Sequence, residues 1–140
     1  MRNVIAYHEA GHVIVARELG VPVFYVDMNG TKSWKAFVEN GSESPHQQSI
    51  IAYGGIVGEV YGLGGRMPYL NPIDARDART CKDEECGPSV DARLVTHQSI
   101  AASIVRAHVQ SLHKLARELK RRRTGRMTGQ DIEEFLRAPQ

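Results

Sequence analysis

His8, Glu9 and His12 are the residues of this 140-residue chain whose types and spacing point most directly to chemistry. Two histidines four positions apart lie one above the other on a helix, so both imidazoles can reach one metal ion. The glutamate that follows the first histidine stands where it can take a proton from water at that ion. This H-E-x-x-H pattern predicts half of a catalytic zinc site, with Glu9 as general base. The competing reading is two helical histidines beside a surface glutamate. The surroundings favour the metal reading. Asn3 is the expected N-cap, no proline interrupts residues 4–19, and Gly20 with Pro22 supplies a stop.

A catalytic zinc keeps three protein ligands and one open position, so a third ligand must come from elsewhere in the chain. By residue type the choices are Glu59, Asp74, Asp77, Asp91, His46, His97, Cys81 and Cys86, and spacing alone does not select among them. Asp91 falls near the start of an expected long helix, where the N-terminal partial charge favours a carboxylate. First-turn capping is its plainer role. Glu59 sits within a glycine-rich helical segment, as a ligand, a partner to a ligand or a carboxylate at the core edge. The two cysteines are too few for a disulfide scaffold, and their C-x4-C spacing lacks the second pair of a structural zinc site.

The elements that must hold these residues follow from periodicity. A helix over 3–19 is apolar on nearly every side and should be buried centrally. The β-branched and aromatic run 21–28 and the weaker alternation at 34–39 predict a β-hairpin around Asn29-Gly30. A second helix is expected over 46–61, where Gly54, Gly55 and Gly58 each cost about 1 kcal/mol against alanine. Three small residues there would let another helix approach closely. Residues 62–88 read as a long irregular segment of the kind that more often contacts substrate than merely connects. A long helix should start near Ser89 or Val90, with a break near Ser99, and apolar residues recur in it through Leu119. Thr128 is the expected N-cap of a short last helix carrying Ile132, Phe135 and Leu136. His108 and His113, five apart, should sit at the core edge, and Phe24, Tyr25 and Trp34 should pack the hairpin.

With 41% hydrophobic residues, positions 1–140 form one domain with a real core, mainly α-helical with a small sheet. A net charge of +2 gives no argument for nucleic acid, and the basic run Lys120 to Arg123 suits a helix C-terminus. No apolar run approaches the ~20 residues needed to span a bilayer, and with the expected metal helix beginning at once no signal peptide is expected. The expectation is a soluble cytoplasmic protein with no membrane partner.

Several segments together resemble a known family. Residues 6–16, Ala-Tyr-His-Glu-Ala-Gly-His-Val-Ile-Val-Ala, are similar to the metal-binding helix of the FtsH-type zinc peptidase domain. Residues 23–29 with 34–39 resemble the hairpin that follows it. Residues 51–59 resemble the family's GGRxAEE helix, with Ile56 in place of the usual arginine. Residues 90–93 resemble the segment whose aspartate is the third zinc ligand, and 115–119 and 128–132 resemble the closing helices. The resemblance implies an α+β, zincin-like peptidase fold with a small β-hairpin beside the metal helix. It implies zinc held by His8, His12 and Asp91, Glu9 as general base, and Glu59 orienting a ligand histidine.

The expected function is zinc-dependent hydrolysis of peptide bonds in a peptide or unfolded protein. Tyr53 and His97 are the candidates by type for a further oxyanion donor, and the strand at 34–39 could pair with an extended substrate. The family's ATPase module and membrane anchor are not in this sequence, so the expected activity is ATP-independent. An ATPase partner or homo-oligomer is not indicated. The alternative is a catalytically silent zinc-binding module of the same fold, serving regulation or protein interaction. A zinc hydrolase acting on a non-peptide amide is a third reading.

Overall fold

An uninterrupted apolar run makes the first helix, α1 (Arg2–Glu18). Its end is chemical. Gly20 adopts φ +76°, and its N–H bonds the Arg17 carbonyl at 3.0 Å while the Val21 N–H bonds the Ala16 carbonyl at 2.9 Å. Two carbonyls left over by the helix are thereby satisfied, and buried Val21 packs under the turn. The computed structural model describes residues 2–29, 45–64 and 90–137, with the backbone alone at positions 2, 45 and 90–96.

The remaining elements, in chain order, are β1 (Tyr25–Asp27), α2 (Pro45–Gly62), α3 (Val90–Ala107), α4 (Val109–Arg121), β2 (Arg126–Thr128) and α5 (Gly129–Arg137). Among the described residues the fold is therefore mainly helical, with a two-stranded antiparallel sheet. No described helix is long and apolar enough to cross a membrane. Helix α1 lies at the centre, packing most extensively on α2, next on α4, and touching α3. Every residue from Ala6 to Ala16 is buried, as an all-round apolar helix requires. Helix α4 has one apolar face instead, closing the core with Leu112, Leu115, Ala116 and Leu119.

Four local expectations need correction or completion. Asn3 does not cap α1; it lies within the first turn, where its Oδ1 accepts a bond from Lys120 Nζ of α4 at 2.6 Å. The long helix does not break near Ser99, which is exposed and causes no conflict inside α3. It breaks at His108, which pairs with Glu18 of α1 at 3.2 Å and starts α4. The described sheet joins distant parts of the chain, with Tyr25 opposite Thr128, Val26 opposite Met127 and Asp27 opposite Arg126. Residues 34–39 and the Gly62 to Pro88 segment beyond 64 lie outside the described residues. Thr128 does cap α5: its Oγ1 accepts from the Asp131 N–H, and Asp131 Oδ2 accepts from the Thr128 N–H, both at 3.0 Å.

The glycines of α2 do what their spacing implied. A Cβ built on Gly58 would stand 2.5 Å from the Tyr7 carbonyl oxygen, and one on Gly54 would stand 2.8 Å from the Gly11 carbonyl oxygen. The α1 and α2 backbones are thus in contact, with Gly11, Gly54 and Gly58 at the crossing. On an open helix, Gly58→Ala would raise stability by about 1 kcal/mol. Here the methyl meets the α1 backbone at Tyr7 and Gly11, and the expected change in urea unfolding is a loss of about 1–3 kcal/mol. A stability gain in that variant would contradict the close crossing.

Candidate metal centre

Helix periodicity and central burial bring His8 and His12 together, only 1% and 3% exposed, with Glu9 buried beside them. The two Nε2 atoms lie 3.2 Å apart, with the rings crossed at 84°. Nitrogens bound at 2.0–2.1 Å to one tetrahedral zinc would be about 3.3–3.4 Å apart. The observed separation already matches a shared ion.

The opposite edges of both rings are committed. His12 Nδ1 lies 2.7 Å from the Ile51 carbonyl oxygen, which can only accept, so Nδ1 carries the proton and Nε2 keeps a lone pair. His8 Nδ1 lies 2.8 Å from Glu59 Oε2, within an ion-pair geometry between two fully buried groups. With Glu59 ionised, Nδ1 donates and His8 Nε2 holds a second lone pair. Two buried lone pairs at 3.2 Å repel unless a cation lies between them or a proton is relayed onto one nitrogen. The relay would need a neutral Glu59 or an imidazolium.

Gly55 makes room for both rings: a Cβ there would stand 2.6 Å from Nε2 of both histidines and from Cε1 of His8, so any side chain would clash with the imidazoles themselves. The donor set fits zinc: two imidazoles with their Nε2 atoms together, each oriented from behind by a carboxylate or a carbonyl.

Other site expectations fall in different places. Glu59 sits at the Nδ1 edge of His8, away from the Nε2 pair, so it orients that ring. Asp91 lies in the first turn of α3, but its side chain is outside the described residues, as are Asp74, Asp77, Cys81 and Cys86. His46 and His97 meet each other, Nδ1 to Nε2 at 3.1 Å, and His97 Nδ1 is 2.8 Å from Ser49 Oγ. Tyr53 is half-buried on α2. Among the described residues, no three His, Cys, Asp or Glu side chains converge on one point.

Two contributors carried no separate sequence signal. Ile51 acts through its carbonyl, which any residue possesses. Gly55 was grouped with Gly54 and Gly58 as packing, although its clearance faces the histidines rather than a backbone. No protein-family model matches the chain, and no curated protein matches it in sequence.

If Glu59 fixes the His8 ring, Glu59→Gln should weaken zinc binding by about tenfold or more in a competition assay with a chromophoric chelator. Unchanged affinity, with the fold intact by circular dichroism, would remove Glu59 from the centre.

Proposed function

We propose that this chain is a zinc-dependent metallopeptidase domain that hydrolyses peptide bonds in flexible or unfolded polypeptides without ATP, in the cytoplasm. The observation that carries the reading is the His8–His12 pair, with Nε2 atoms 3.2 Å apart and a glycine where a side chain would block them. The resemblance of 6–16 and 51–59 to the FtsH-type peptidase supports the same assignment, and it supplies Asp91 as the third ligand.

His8, His12 and Asp91 would hold the ion. Zinc supplies Lewis acidity when bound, bringing the pKa of water towards neutrality and polarising a carbonyl. Glu9 has two tasks. It takes the proton from the attacking water, then delivers it to the amine nitrogen as the peptide bond breaks. Its burial supports both, because a carboxylate screened from bulk water holds its proton in place between the two transfers. Glu59 keeps His8 in the tautomer that leaves Nε2 unprotonated, and the Ile51 carbonyl does the same for His12.

A silent zinc module of the same fold would need no general base, and a purely structural zinc usually has four protein ligands. Glu9→Gln separates the two. The peptidase reading expects zinc-dependent cleavage of a quenched fluorescent peptide, reduced about 10²–10⁴-fold in the variant while zinc still binds. Equal signals from both proteins, or signals indifferent to a chelator, would sink it.

A further inference from the structure

Helix α4 carries a polar stripe beside the face it turns to the core. Gln110, His113, Lys114 and Arg117 recur at intervals of three and four, so they form one stripe. They line a cavity of about 540 Å³. That is the size of a small-molecule site, and far more than a bare inorganic ion fills.

Each of these side chains offers a donor. Lys114 and Arg117 are cationic and Gln110 has an amide NH₂. His113 is held by Tyr7 of α1, whose hydroxyl lies 2.6 Å from Nδ1. That distance is short for N–H donation and ordinary for O–H donation, so the phenol donates. His113 Nδ1 is then an acceptor and Nε2 carries the N–H. Tyr7 thus sets the tautomer of a residue that lines the cavity.

No carboxylate is among the described residues lining this cavity. Glu118, in the adjoining 240 Å³ depression, is matched by Arg121 at 2.6 and 2.8 Å and Arg122 at 3.3 Å. Those bonds, led by the one from Arg121, hold its carboxyl below the usual range. Lys114 also lies over the Phe135 ring of α5, 5.0 Å from its centroid, which limits where its ammonium can go.

We propose that this cavity binds a small organic oxyanion, a phosphate- or carboxylate-bearing molecule, through Arg117, Lys114, His113 Nε2–H and Gln110. Arg117 would supply the paired donors that match either group, and Lys114 a point charge. Tyr7 immediately precedes His8 in α1, so an occupant touching His113 would lie one hydrogen bond from the metal helix. The site does not depend on the peptidase reading.

The test is calorimetric titration of the purified full chain with glycerol phosphate and, separately, succinate, at low salt. Saturable one-to-one binding of either probe is expected, and the tighter arm identifies the anionic group. Arg117→Ala, at an exposed position, should weaken binding at least tenfold without moving the melting temperature. Tyr7→Phe should weaken it less, and the His113 imidazole signals in NMR should shift on titration of the native protein. Absence of saturable binding in both arms, or equal binding by Arg117→Ala, would overturn the proposal.

Discussion

Everything around the histidine pair depends on the backbone contact between α1 and α2. Gly11, Gly54 and Gly58 bring the two helices closer than any side chain would permit. At that separation, positions 51, 55 and 59 of α2 form a stripe facing His8 and His12. Ile51 offers a carbonyl to His12, Gly55 offers open space, and Glu59 offers a carboxylate to His8. One crossing thus places three different contributions, each four residues from the next. The helix-propensity cost of its glycines, about 1 kcal/mol each, is offset by that packing.

Electrostatics makes the arrangement demanding. Glu59 is wholly buried, and burying a charge without partners costs several kcal/mol. A bond to His8 offsets part of that cost and polarises the ring towards its Nε2 edge. The same logic runs in reverse at the surface. Ion pairs such as Arg17–Glu133, between α1 and α5, are solvated and contribute little. Arg126 packs over Tyr25 at 4.2 Å and lies 3.8 Å from Asp27, which favours the register of the short sheet. Charge is thus concentrated where it orients imidazoles and diluted where it only solvates.

The helices and the histidine pair were readable from residue order because they rest on short-range rules. The i, i+4 histidines, the Gly20 stop and the Thr128 cap are all decided within one turn. The small residues at 54, 55 and 58 signalled a close helix approach, although not which partner or that Gly55 serves the histidines. What escaped was long-range. The partner of β1 is a three-residue strand about a hundred positions later, with a single inward residue, Met127, and so no periodicity to detect. The break at His108 has no glycine or proline to mark it, and the contact His108 makes there is with Glu18, far away in sequence. Tyr7 and His113 read as a core aromatic and a core-edge histidine. Only the fold shows that they meet.

In the proposed metallopeptidase, His8 and His12 would share one divalent ion through Nε2. Nitrogen-15 NMR of the imidazoles during zinc titration tests it most directly, since it reports both rings and both nitrogens. One equivalent of zinc should shift the Nε2 resonances of His8 and His12 together, while both Nδ1 atoms keep their protons. Coordination through Nδ1, a response from one histidine alone, or no response at one equivalent would contradict it.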